Sequence, residues 1–138
     1  MDVDSLLKAL DNENNEKIMN ETLSSIKAKK NDILQQLGLR KDSLKTLHKK
    51  LKNYKYCENV NDLDFGRYIR WISLRNPEQL KLTNGGIICD LKVVDEELHI
   101  VCKNNINRII QLNFNKSIVF QKLSNDEHII LQALKLLE

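Results

Sequence analysis

A chain of 138 residues with 41% hydrophobic and 30% charged side chains has the composition of a folded protein, not of a disordered segment. That length suits one ordinary domain, or a small domain with a helical appendage. The formal net charge of +3 is too mild to mark a nucleic-acid binder by itself, and no apolar run is long enough to span a bilayer.

Aromatic residues make up only 5%, so any core depends on Leu, Ile and Val. Cys57, Cys89 and Cys102 are odd in number and form no CxxC pair. Together with the acidic opening "MDVDSLLKAL", they lead us to expect a reducing, intracellular setting: cytoplasm, nucleus or an intracellularly assembled virion.

The charge is segregated along the chain. Residues 1–26 carry six acids (Asp2, Asp4, Asp11, Glu13, Glu16 and Glu21) against two lysines. Residues 40–55 carry Arg40, Lys41, Lys45, Lys49, Lys50, Lys52 and Lys55 against Asp42 alone.

The same region has a heptad stripe. Met19, Leu23, Ile26, Ile33, Leu37, Leu44, Leu47 and Leu51 follow a 4-3 spacing that only Lys30 and Arg40 interrupt. That spacing is the seam of a coiled coil. Two arrangements satisfy it. One is a single helix over about residues 15–55, roughly 60 Å long at 1.5 Å per residue. The other is a helical hairpin, with Gly38 ending one helix and Asp42 or Ser43 capping the next. Either predicts packing within the chain, or a protein partner or self-association through residues 15–55. The lysines Lys41, Lys45, Lys49, Lys52 and Lys55 lie beside the seam at helical spacing and are candidate phosphate contacts for DNA or RNA.

"YKYCENVNDLDFG" is polar and turn-rich, so residues 56–65 read as a linker between a helical region, 1–55, and a β-domain, 66–138. After it the hydrophobic period falls to two. "RYIRWISL" is the first strand, with Ile69 and Trp71 inward. Arg67, Tyr68, Arg70 and Arg75 are then left as a candidate recognition patch, where a ring offers stacking and a guanidinium offers a fork. Pro77 breaks the chain, and Gly85 and Gly86 start a bend into the next strand.

"IICDLKVV" and "ELHIVCK" alternate cleanly. Folding them about Asp95 and Glu96 sets Val93 against Leu98, Leu91 against Ile100 and Cys89 against Cys102. "NNIN" turns the chain again, and "RIIQLNF" pairs Ile110 with Cys102 and Leu112 with Ile100. In "SIVFQKL" both Ile118/Phe120 and Val119/Leu123 qualify as the inward set. A Ser124–Glu127 capping box opens a last helix whose apolar face should close the sheet.

The expected fold is therefore α+β: an N-terminal coiled coil or helical hairpin, a five-stranded antiparallel barrel-like sheet, and a C-terminal helix. The strands from residue 66 to 123 resemble, in topology, a small barrel of the SH3-like or Sm-like type. The segments "YIRWISL", "NPEQLKLTNGGIICDLK" and "IVCKN" also resemble small proteins of large AT-rich DNA viruses. That resemblance covers about half the chain and implies no activity and no site residues.

The chemistry-bearing residues form no known motif. The histidines 48, 99 and 128 are scattered, and no nucleophile stands beside any of them. The cysteines lack zinc-ligand spacing, and "TNGGI" is not a phosphate-cradling loop. The expectation is a protein with no catalytic residue, metal or cofactor. It would be a non-enzymatic interaction or assembly protein, or else a nucleic-acid-binding accessory protein, and not a membrane protein.

Overall fold

The computed structural model describes residues 2–137. Four helices and six strands form in the order α1 (Val3–Asp11), α2 (Leu23–Gln35), α3 (Lys41–Lys50), β1 (Tyr54–Cys57), β2 (Tyr68–Ser73), β3 (Gly86–Val94), β4 (Glu97–Lys103), β5 (Ile109–Asn113), β6 (Ser117–Lys122) and α4 (Asn125–Leu136). The chain divides into two compact units: Met1–Lys55 with Leu123–Glu138, and Tyr56–Lys122.

In the helical unit α1, α2 and α4 begin at side-chain caps that satisfy orphan amides, whereas α3 begins at Arg40 with no side-chain cap, so neither Asp42 nor Ser43 caps it as expected. Asp2 caps α1 through the Asp4 N–H, Thr22 and Ser25 form a capping box on α2, and Ser124 with Glu127 forms the one expected on α4. The heptad stripe does not form one long helix. Gly38 adopts φ +64, a left-handed value that favours glycine, so α2 ends and α3 begins after a short break. The core of this unit is Ala9, Ile18, Ile26, Leu123, Ile130 and Leu131. Thus the buried face of α4 packs in the helical core, where the sequence pattern suggests it would close the sheet.

The second unit is built on an antiparallel sheet in the order β1-β6-β2-β3-β4-β5. It has six strands, not five, and it is open. The edge strands β1 and β5 stand at opposite ends of the order and do not pair, so the expected barrel closure is absent. The extra strand is β1, which straddles the expected boundary: Tyr54 and Lys55 fall in the expected helical region, and Tyr56 and Cys57 in the expected linker. Cys57, Leu63, Ile69, Trp71, Ile88, Ile100, Cys102, Leu112 and Val119 form the sheet unit's core.

The β3–β4 hairpin keeps the expected register from the turn outward, with Val93 opposite Leu98 and Leu91 opposite Ile100. Asp95 and Glu96 both take positive φ, 51 and 66, which lets a two-residue turn match the strand twist. The register then shifts. A bulge at Cys89 places Ile88, not Cys89, opposite Cys102. Cys102 is buried among aliphatic groups, which push its thiol pKa up to about 11, while Cys89 is exposed. Beyond β4 the pairing is as expected, with Cys102 opposite Ile110 and Ile100 opposite Leu112.

On β6 both alternating sets are buried. Ile118 and Phe120 face one side, Val119 and Gln121 the other. The pairing Trp71–Val119 and Ile72–Ile118 sets the strand's register against β2.

Candidate functional site

The lysine face of α3 is a strongly basic surface of the helical unit. Between residues 23 and 55 ten lysines and arginines stand against Asp32 and Asp42 only. Leu44 and Leu47 turn one side of α3 inward, half-buried, and that orients Lys41, Lys45 and Lys49 to solvent. Lys52 follows just beyond the helix and is also exposed. Among the described residues none of these four ammonium groups has an ion-pair or hydrogen-bond partner. From Lys41 to Lys52 the ridge is about 16 Å long, enough to meet several backbone phosphates.

Lys55 does not share that face. It is 9% exposed and pairs with Glu127 at 4.0 Å, so its charge is balanced within the fold.

Exposed Lys27, which the sequence pattern does not single out, lies near the end of the ridge, and Lys30, which interrupts the heptad stripe, is buried beneath it. Lys27, Lys30 and Asn31 of α2 face His48 and Lys52 across a cleft of about 260 Å³, and no carboxylate lines it. Lys30 is buried at 5% exposure and has no acidic partner among the described residues. Its ammonium donates to the carbonyl oxygens of Leu51 (2.8 Å), Tyr54 (2.9 Å) and Lys52 (3.4 Å). Burial, and then the charge of Lys27, hold its pKa below the usual lysine value.

The expected coiled-coil seam is largely spent inside this unit. Ile26 and Leu51 are buried, and Leu23, Ile33, Leu37, Leu44 and Leu47 are half-buried. Met19 is 45% exposed and lies in a 3-10 turn. Leu34, off the 4-3 spacing, is fully buried. The freest apolar stripe is on α1, where Val3, Leu7 and Leu10 are exposed at 4-3 spacing.

The arginine and tyrosine patch of the sheet unit is occupied by its own backbone. The Arg67 guanidinium donates to the Lys122 carbonyl and faces the Asp64 carboxylate at 3.8 Å. The Tyr68 hydroxyl donates to the Asn84 carbonyl, and Arg70 Nε donates to the Thr83 carbonyl at 2.8 Å. These bonds fasten the segment before β3 onto β2. Only Arg75 is free, on the exposed segment that follows β2.

Among the described residues no three His, Cys, Asp or Glu side chains lie close enough together to hold a metal ion, and no helix is long and apolar enough to cross a membrane. Set against family models, curated proteins and solved structures, the chain matches none.

Proposed function

We propose that the chain is a non-enzymatic interaction protein whose helical unit binds the phosphate backbone of nucleic acid. The observation that carries this reading is the row of four unpaired lysines, Lys41, Lys45, Lys49 and Lys52, on the solvent side of a two-helix segment that is nearly free of acids. Lysines act as hydrated point charges and carry no base-reading fork, so the binding is independent of sequence.

Anisotropy of a labelled duplex titrated with the full chain at several salt concentrations tests it. Four neutralised phosphates give a slope of log K against log salt of about −3 to −4. The triple variant Lys45→Glu, Lys49→Glu, Lys52→Glu should abolish binding at low salt while leaving the circular dichroism unchanged. Absence of binding by the unaltered chain at low salt would remove the proposal.

The exposed stripe Val3, Leu7 and Leu10 supports a second reading, self-association or protein docking through the helical unit. The half-buried Ile33, Leu37, Leu44 and Leu47 leave part of the 15–55 seam available to the same contact. Light scattering at rising concentration separates the two readings. Association that Leu7→Glu abolishes supports assembly, and a strict monomer counts against self-association.

A further inference from the structure

We propose that the sheet unit carries a separate binding site for a small carboxylate, in a cleft at the end of the sheet where β2 stops and β6 starts. The cleft has a volume of about 290 Å³. Trp71 and Leu112 form its apolar wall, and Arg75, His99, Gln111 and Ser117 supply its polar groups. These residues come from four strands and the segment after β2, and the pairings Trp71–Val119 and Ile100–Leu112 hold them in place.

The polar groups are mostly donors without partners. Among the described residues Arg75 has no side-chain hydrogen bond or ion-pair partner. Among the described residues the Trp71 indole N–H has no partner either. The cleft is the surface that Trp71 lines. Gln111 Nε2 faces His99 Nδ1 at 3.0 Å. With the amide donating there, the neutral ring carries its proton on Nε2, which adds another donor. The Ser117 hydroxyl is unengaged.

Among the described residues no carboxylate lines the cleft. Glu97, on the adjoining strand, is taken up by Asn113 and by Lys116 at 3.7 Å. A concave site with an arginine fork, a serine hydroxyl and an imidazole N–H matches an oxyanion. A single cation matches one negative charge, which selects a carboxylate over a phosphate dianion. The apolar wall provides for its carbon skeleton.

Trp71 is the only tryptophan, so its emission reports on this site alone. The full chain is titrated with benzoate and its neutral counterpart benzamide, with a short peptide bearing a free or an amidated C-terminus, and with inorganic phosphate. A saturable change with benzoate or the free-acid peptide, absent with benzamide and the amidated peptide, supports the site. So does a weakening of at least about tenfold in Arg75→Gln. Arg75 is exposed, so the variant folds, which circular dichroism verifies. Tighter binding of the peptide identifies a protein C-terminus as the source, and tighter binding of benzoate identifies a free organic acid. No saturable response to either acid, a response that Arg75→Gln leaves intact, or phosphate binding more tightly than both acids would overturn the assignment. The lysine-to-glutamate variants of α3 should leave this titration unchanged, so it stands or falls apart from nucleic-acid binding.

Discussion

The ammonium of Lys30, on α2, lies 2.8 Å from the carbonyl oxygen of Leu51, at the end of α3. It explains a lysine in the middle of an apolar stripe. The last carbonyls of a helix have no partner within it, and the helix dipole makes that end negative. The Leu51 carbonyl already accepts the Tyr54 N–H at 3.0 Å, and Lys30 adds a second, charged donor from a neighbouring helix, which ties α2 to the exit of α3. Lys30→Met keeps most of the volume and removes the donor. We expect a loss of about 1–3 kcal/mol in urea unfolding.

The same lysine gives a pH signature. Its folded pKa lies below the unfolded value of 10.5, so above the folded pKa the unfolded chain binds more protons than the folded one. Its contribution to stability must therefore rise with pH through the alkaline range just below 10.5. The difference between the unaltered chain and Lys30→Met, followed in urea from neutral to alkaline pH, should grow in that direction.

The bulge at Cys89 predicts a thiol pattern. Cys89 is exposed, while Cys57 and Cys102 are buried and burial pushes the Cys102 thiol up to about 11. One thiol should react quickly with a neutral-pH alkylating reagent, and two only at the rate of opening or unfolding. Mass mapping should place the fast label on Cys89. A fast label on Cys102, or equal rates at Cys89 and Cys102, would show that the two cysteines are paired without a bulge.

The Tyr68 and Arg70 clasps make a different prediction from the one their residue types invite. Removing them should loosen the segment before β3 and leave nucleic-acid affinity unchanged. Tyr68→Phe should cost about 1 kcal/mol and speed amide exchange at Thr83. Gly85→Ala should be more severe. Its φ is +90, and a Cβ there would stand 2.1 Å from the Ile69 carbonyl oxygen, a backbone atom that cannot step aside. We expect a loss of several kcal/mol or a chain that fails to fold.

The parts of this fold that show in the sequence are those with one buried face. The β3–β4 hairpin alternates because one face is wet, and its register follows from Val93, Leu98, Leu91 and Ile100. The pattern misleads wherever both faces or neither face decides. On β6, Val119 and Phe120 are both fully buried, so alternation carries no phase. On β1, four residues that include Lys55 are too few to show a period. The bulge adds one residue that periodicity alone cannot locate, because Ile88 and Cys89 both suit an inward position. The recognition patch was legible as residue types only. What occupies Tyr68 and Arg70 are carbonyls 16 and 13 residues away, respectively, and these become neighbours only once the segment before β3 folds back.

Gln121 offers the sharpest test of the sheet unit. It is fully buried on β6, and its amide closes a pair of bonds with Asp64: Gln121 Oε1 accepts the Asp64 N–H at 2.9 Å, and Nε2 donates to the Asp64 carboxylate at 3.1 Å. Gln121→Leu leaves the Asp64 N–H without its acceptor and takes one donor from the carboxylate, which keeps Arg67 at 3.8 Å, and should cost about 1–3 kcal/mol, with little dependence on mild acidification. Gln121→Glu preserves the acceptor and replaces the donor with a second carboxylate. At neutral pH the two negative charges face each other and the variant should be the less stable of the pair. On acidification one proton shared between the carboxylates restores a donor, so the folded pKa of the pair lies above the unfolded values. By linkage the stability of Gln121→Glu then rises as pH falls from 7 toward about 4, opposite to the usual acid loss. Urea midpoints of both variants across that range decide it. Parallel pH dependence of the two would show that residue 121 does not face Asp64.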